Sequence, residues 1–305
     1  MLKKVLLNFY FKYIVNPIST GATIANKKLI FELTSERLRR LTLNSIESGI
    51  SDEKVLDKDL IVTLTTYGKR LYDVYLTIES VMQNSIKPNR IILWLEDKLQ
   101  EEELPITLKK LQKRGLQIEY TKDIRSYKKL IPTLHMYPDS YYLTIDDDVI
   151  YNYDLIENLV NSYKRNPGYV HANRVHSMVF SKNGDLLPYN KWHLTQKTDI
   201  PSFSNFATGV GGVLYPPGCF SSHVLDENAF MKLAPKGDDI WFYAMARLNG
   251  YMTIKAFSHC DGCDNYLTNE TVQDIALNRS NVGESGNDGQ IAAVFKTYNI
   301  YDLLK

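Results

Sequence analysis

Tyr141-Tyr142-Leu143-Thr144-Ile145-Asp146-Asp147-Asp148-Val149-Ile150-Tyr151 carries an apolar, β-prone run into three consecutive acids and then turns apolar again. Aromatic and β-branched residues favour strands, so the pattern predicts a buried strand whose C-terminal end presents carboxylates. Three adjacent carboxylates repel one another and are costly to desolvate together unless a cation is present. Mg²⁺ and Mn²⁺ are hard ions that take oxygen ligands, commonly one or two carboxylates plus the phosphates of a substrate. Asp146 and Asp148 are therefore candidate metal ligands, and Asp147 belongs to the same phosphate-binding turn. The competing reading is a turn in which one Asp caps the following helix, which uses one acid and not three.

Upstream of the acids the pattern is regular. Leu60 to Thr65 reads as a strand, Leu71 to Met82 as a helix, Arg90 to Leu95 as a strand, Leu104 to Lys113 as a helix and Leu116 to Tyr120 as a strand. Tyr127 to Met136 reads as a short helix with Pro132 at its start or at a kink. Strands alternating with helices predict an α/β fold with a mostly parallel, Rossmann-like sheet flanked by helices. Ligands in such sheets bind at the carboxyl ends of the strands. The loop Thr65-Thr66-Tyr67-Gly68-Lys69-Arg70 and the three acids then open on one crevice. Backbone NH groups near Thr65, together with Arg70, are candidates to hold a nucleotide, and Tyr67 to stack on its base; an ordinary solvated turn is the alternative. Lys129 is a candidate phosphate ligand, although the pair Lys128-Lys129 also fits a solvated helix face. Neither GxGxxG after the first strand nor GxxxxGK[ST] anywhere is present.

Downstream, Tyr153 to Arg165 reads as a helix ended by Asn166-Pro167-Gly168, and the βα rhythm is then lost. Tyr169 to Phe180 reads as a region of paired strands in which His171 and His176 are packed or surface residues. Trp192 and His193 lie in an aromatic, polar stretch of the kind that stacks on sugar rings or simply packs a loop. Thr208-Gly209-Val210-Gly211-Gly212-Val213-Leu214-Tyr215-Pro216-Pro217-Gly218 places glycines where backbone approaches a ligand, or where a strand bulges. Gly211 and Gly212 are the candidate contacts. Pro235-Lys236-Gly237-Asp238-Asp239-Ile240-Trp241 opens a further helix with two acids in its first turn, where the dipole favours them in any case.

Composition bounds the partners. The chain has 305 residues, 44% hydrophobic, with a formal charge of +1, which sets it apart from the strongly basic chains that bind nucleic acid. Cys219, Cys260 and Cys263 are too few for a secreted disulfide framework, so a reducing, cytoplasmic compartment is expected. The first forty residues carry +6 and the remainder −5. Leu2, Val5, Leu6, Phe9 and Tyr13 share one helical face, a segment suited to peripheral contact with an anionic membrane or to packing on protein. Lys12 interrupts it well short of the roughly 20 residues a span requires. His259, after a strand expected over Met252 to Phe257, is a candidate third metal ligand, and the lone Cys260-x-x-Cys263 pair reads as a loop with incidental thiols. Asn281 to Gln290 reads as a polar closing loop. The expected division is 1–58 as a basic, partly amphipathic helical segment, 59–150 as the nucleotide-binding half, and 151–305 as the acceptor half with the closing loop.

The order of Thr65–Arg70, Asp146-Asp147-Asp148-Val149, Gly209–Gly218 and Asp238-Asp239-Ile240-Trp241 resembles that of bacterial GT-A glycosyltransferases of capsule and lipopolysaccharide clusters, over roughly residues 60 to 300. The resemblance implies that Asp146 and Asp148 are an Asp-x-Asp pair binding Mn²⁺ or Mg²⁺ and a nucleotide-sugar donor. It implies that Asp239 is the second acid of an acceptor-side pair and the general base of an inverting transfer to a glycan or lipid-linked glycan. Asp238 stands where many inverting members have Glu. A retaining transferase or nucleotidyltransferase using the same metal site, and a non-catalytic carbohydrate-binding protein, are the alternative readings.

Overall fold

The computed structural model describes residues 16–195, 197–256, 266–269 and 286–304. His259, Cys260 and Cys263, the Leu2 to Tyr13 segment and residues 281–285 of the expected closing loop lie outside them. A long helix α1 (Asn16–Asn44) leads into β1 (Leu60–Thr65), α2 (Val74–Met82), β2 (Arg90–Glu96), α3 (Ile106–Gln112), β3 (Leu116–Thr121), α4 (Ile131–Met136) and β4 (Tyr141–Thr144). After the acids come β5 (Val149–Tyr151), α5 (Leu155–Arg165), β6 (Val170–Ala172), β7 (Val175–Ser177), β8 (His193–Leu194), β9 (Asn205–Ala207) and β10 (Val213–Tyr215). The chain continues through α6 (Glu227–Leu233), α7 (Asp238–Leu248), β11 (Thr253–Lys255), β12 (Tyr266–Thr268) and α8 (Gly286–Thr297).

The expected α/β architecture is present. The main sheet has seven strands in the order β11-β6-β10-β4-β1-β2-β3. β1 pairs in parallel with β2 and β4, β2 with β3, and β6 with β11, whereas β10 runs antiparallel between β4 and β6. Alternate residues of each strand face opposite layers. Leu60, Val62, Leu64, Leu143 and Leu214 pack with Val74, Ile78, Leu108 and Leu159 on one side. Tyr142, Val213 and Tyr215 pack with Tyr127, Phe230, Phe242 and Phe295 on the other. A sheet buried on both faces reads as continuous apolar runs, as β1 and β2 do.

Three local expectations change. The Tyr127 to Met136 stretch is a 3₁₀ turn, Arg125–Lys129, followed by α4 with Pro132 in its first turn, where its missing N–H costs nothing. The strands over Tyr169 to Phe180 do not pair with each other: β6 joins the main sheet, and β7 joins a three-stranded sheet with β8 and β9. The last residues of the expected closing loop are helical. α8 begins at Gly286 and buries Ile291, Val294 and Phe295, the i, i+3, i+4 spacing of an apolar stripe.

His171 and Trp192 are packing residues. His171 Nε2 lies 2.9 Å from the carbonyl of Asn166, so that nitrogen carries the proton and Nδ1 accepts from Ser162 at 2.8 Å. Trp192 is buried against Phe206 and Tyr189, its indole N–H donating to the carbonyl of Leu187. His193, by contrast, is exposed.

One buried ion pair fastens α1 to this body. Arg114 grips Glu79 with two nitrogens, at 2.6 and 3.0 Å, and both side chains are almost fully excluded from water. Thr42 of α1 and Gln83 donate to the same carboxylate at 3.0 and 2.7 Å, and Arg114 Nε donates to the carbonyl of Glu47. A buried carboxylate is tolerable only when so fully satisfied. Arg114→Met, which leaves Glu79 buried and without its cation, is expected to lower unfolding free energy by about 3–5 kcal/mol in urea titration. Adding Glu79→Met should recover much of that loss; two additive losses would mean the two side chains are not coupled.

Candidate functional site

The first cation of the site is placed by a relay of hydroxyls. The indole N–H of Trp94 in β2 donates to Thr133 Oγ1 at 2.7 Å, and Thr133 and Thr63 Oγ1 lie 2.8 Å apart. Thr63 of β1 spends its own proton on the carbonyl of Lys129, so Thr133 is the donor to Thr63. Tyr127 in the same 3₁₀ turn donates to the carbonyl of Ala234 at 2.7 Å, and its ring stacks on Phe230. These contacts fix the turn between the sheet and the approach to α7. The reading of Lys128 and Lys129 as a solvated face is not met, because both are buried. Lys128 is paired with Asp123, and only Lys129 reaches the acids.

Lys129 Nζ lies 3.1 Å from Asp146 Oδ1, 2.7 Å from Asp238 Oδ2 and 3.9 Å from Asp239 Oδ1. Burial pulls the ammonium pKa down, but the charges of Asp146, Asp238 and Asp239 outweigh it and hold the group well above its usual range. The two acids opening α7 are about 100° apart by helical geometry, yet both converge on this one ammonium. Asp239 is further held by the backbone N–H of Gly209, at 2.9 Å. Its carboxyl is raised to about 7, by burial first and by the neighbouring charges of Asp238 and Asp146, against the pull of Lys129. It keeps 31% side-chain exposure, whereas Asp238 keeps 10%.

Arg70 serves the other two acids. Its Nη1 lies 2.7 Å from Asp147 Oδ1 and its Nη2 3.0 Å from Asp148 Oδ2. It is buried, so the picture of a solvated turn fails for this residue. Asp147 is raised to about 6 by burial, with Arg70 opposing. Tyr67 is 46% exposed, and the Arg70 guanidinium carbon sits 5.7 Å from its ring centre. Thr65 gives its hydroxyl to the carbonyl of Trp94.

The turn after the acids is pinned by Tyr151. Its hydroxyl accepts from the N–H of Asp146 at 3.0 Å and donates to the carbonyl of Val210 at 3.1 Å, tying the acids to the Gly-rich turn. Burial keeps this phenol protonated. Thr77 and Ser80 of α2 bond to the backbone of β5 at 2.7 and 3.0 Å and hold it in place.

The glycines divide by what they touch. A Cβ on Gly209 would stand 2.9 Å from Lys129 Nζ, 3.0 Å from Asp239 Oδ1 and 3.2 Å from Asp146 Oδ1. One on Gly211 would stand 2.6 Å from the Cβ of Arg174, and one on Gly212, at φ +82°, 3.0 Å from Leu155. Gly211 and Gly212 thus shape the turn, while Gly209, at the acids themselves, is the glycine the sequence did not single out. Tyr151 and Tyr189 were likewise not legible as site residues, since they come near the acids only through the fold.

Five carboxylates, Asp146, Asp147, Asp148, Asp238 and Asp239, share two cations, Arg70 and Lys129. With all of them ionised the cluster is short of positive charge, and its donors are hard oxygens, so it fits a hard divalent ion. No described group of three or more His, Cys, Asp or Glu forms a cage by itself. Mg²⁺ does not require one, because it completes its shell with water and substrate phosphate. Asp146, at 34% side-chain exposure, and Asp148 are the residues that would hold it.

No protein-family model matches the chain, and no curated protein matches it by sequence. Among solved structures it is similar to a mannosyltransferase, PcManGT from Pyrobaculum calidifontis in complex with GDP-Man and Mn²⁺, at 12% identity and a TM-score of 0.40, over 78% of this chain and 64% of that one. It is similar to S. aureus TarS 1-349 in complex with UDP, at 15% identity and a TM-score of 0.45, over 68% of this chain and 59% of that one. It is also similar to 4-diphosphocytidyl-2C-methyl-D-erythritol synthase, at 9% identity and 0.44, over 74% of this chain and 100% of that one. The chain therefore spans less than two thirds of the length of the first two.

The close approach at Gly209 has a measurable consequence. Gly209→Ala is expected to displace the Lys129 ammonium and lower stability by about 1–3 kcal/mol, the usual cost of overpacking. Gly289→Ala, in helix α8 with open space around it, should be neutral or stabilising. Equal urea midpoints for Gly209→Ala and the parent chain would mean the ammonium is not confined.

Proposed function

We propose that this chain is a metal-dependent, inverting glycosyltransferase that moves a sugar from a nucleotide-sugar donor to a hydroxyl of a cell-surface glycan or lipid-linked glycan. The observation that carries this reading is the single Lys129 ammonium shared by Asp146, at the end of the central strand β4, and by Asp238 and Asp239, at the start of α7. It brings an acid suited to a metal and phosphates within one contact of an acid suited to a proton.

In this reading Asp146 and Asp148 would hold Mn²⁺ or Mg²⁺, which would supply charge neutralisation for the departing diphosphate. Arg70 keeps Asp147 and Asp148 in place, and Tyr67, exposed at the mouth of the first loop, stacks on the nucleotide base. Asp239 accepts the acceptor hydroxyl's proton as its oxygen attacks the anomeric carbon. Gly209 N–H and Lys129 orient that carboxylate, and the raised carboxyl matches a base working near neutral pH. Asp238, more buried and closer to Lys129, orients the ammonium.

The peripheral membrane contact expected of the Leu2 to Tyr13 segment belongs to the same proposal, and that segment lies outside the described residues. No described helix is long and apolar enough to cross a membrane.

Two substitutions test the two halves of the site. Asp148→Asn should abolish the Mn²⁺-dependent thermal shift produced by the nucleoside diphosphate of the donor, and an unchanged shift would remove the metal assignment. Asp239→Asn keeps the shape and the capping capacity of the side chain but not its basicity. Single-turnover transfer with saturating donor should fall about 10²- to 10⁴-fold while donor affinity stays near that of the parent chain. Near-normal transfer by Asp239→Asn would place the base elsewhere.

A further inference from the structure

A third cation borders the site and is not consumed by it. Arg174 lies in the connection between β6 and β7, under the Gly-rich turn. The carbonyl of Arg174 accepts from Thr208 N–H at 3.1 Å, and the neighbouring Asn173 donates to the carbonyls of Gly211 and Gly212 at 3.1 and 3.3 Å. The missing side chain of Gly211 is what lets this backbone lie so close. Arg174 is therefore held at a fixed place next to the turn that carries Gly209.

Its guanidinium is only lightly engaged. Nη1 donates to Thr208 Oγ1 at 2.9 Å, Nε has no hydrogen-bond partner, and no carboxylate lies within ion-pair distance among the described residues. Arg70 and Lys129, in contrast, are each gripped by two or more acids. His176, two residues further on at the centre of β7, is half-buried, and both of its ring nitrogens are closed to water without a hydrogen-bond partner. Burial, and then the charge of Arg174, lower its pKa to about 4, so it is a neutral ring. The ring stacks on Tyr189, with centroids 5.5 Å apart. Tyr189 is fixed by Asp288 of α8, which accepts from its backbone N–H at 2.7 Å, and its phenol is close enough to Asp239 to feel that charge. Arg174 and Tyr189 thus border Asp239, and His176 packs behind Tyr189.

A guanidinium fork matches the paired oxygens of a carboxylate or phosphate. We propose that Arg174 binds an anionic group of the acceptor, a carboxylate or a phosphate ester, and so presents the neighbouring hydroxyl to Asp239. The inference rests on the glycosyl-transfer reading and adds the class of acceptor: a charged glycan in place of a neutral one.

The test uses the full chain and three small probes, glycerol 1-phosphate, methyl glucuronide and methyl glucoside, titrated by NMR. The parent chain should bind at least one of the two anionic probes and not the neutral glucoside; which of them binds identifies phosphate or carboxylate. Arg174→Gln should weaken that binding tenfold or more, the usual scale for a charge-assisted contact, and Arg174→Lys should retain part of it. Asp148→Asn should bind the anion as the parent chain does. Anion binding unaffected by Arg174→Gln, or equal binding of the glucoside, overturns the proposal; so does competition between the anionic probe and a nucleoside diphosphate with Mn²⁺, which would put Arg174 on the donor. Should Arg174→Gln fail to fold, Arg174→Lys, which keeps the charge and loses the fork, is read in the same titration, and anion affinity equal to that of the parent chain there has the same force. A Mn²⁺-dependent response to a panel of nucleoside diphosphates, run alongside, separates the cases: if it persists while the anion arm fails, only this inference falls, and if both fail the reading of the site falls with it.

Discussion

The arrangement depends on one ammonium group. Lys129 lies among three carboxylates from two distant parts of the chain, at 2.7 to 3.9 Å, in a place nearly closed to water. Desolvating a lysine is unfavourable, and desolvating Asp238 beside Asp239 is unfavourable too; each burial is tolerable only because the other exists. The pair of elements so joined, the end of β4 and the start of α7, come from opposite sides of the irregular region that interrupts the βα rhythm. Remove the ammonium and the two sets of acids repel.

The rest of the molecule serves to hold that contact. Trp94, Thr133 and Thr63 fix the backbone of Lys129 from the sheet, Tyr127 fixes the same turn to the carbonyl before α7, and Tyr151 ties the acid turn to Val210. Every one of these is a polar group inside an apolar shell, where a hydrogen bond is both stronger and harder to do without. Gly209 is the complement: an absence of atoms that lets Lys129, Asp146 and Asp239 approach the turn together. The Gly-rich stretch and the acids are thus two halves of one feature, although about sixty residues separate them in sequence.

The fold was largely legible because its signals are local. The bounds of β1 were readable from six apolar and β-branched residues, and the alternation of strand and helix through β4 announced a parallel sheet. Asp146 to Asp148 stood out because nothing in a buried strand end otherwise requires three acids. What was not legible depends on partners distant in the chain. Lys129 has the appearance of half of a surface lysine pair, Arg70 of a turn arginine, and β6 and β7 of a hairpin, until the sheet assigns each its neighbour. Tyr151 carries no motif at all. The antiparallel insertion of β10 between β4 and β6 follows from long-range packing, and no periodicity in three residues could announce it.

If the shared ammonium organises the site as argued, release of nucleoside diphosphate from nucleotide-sugars by the intact chain, compared with Lys129→Met, is the most direct measurement. The parent chain should turn over one nucleotide-sugar in a Mn²⁺- or Mg²⁺-dependent manner. Lys129→Met should lose that turnover by a factor of 10² or more while remaining folded, since the acids it joins can no longer share one place. Turnover that is equally fast and equally metal-dependent without the ammonium would contradict the account.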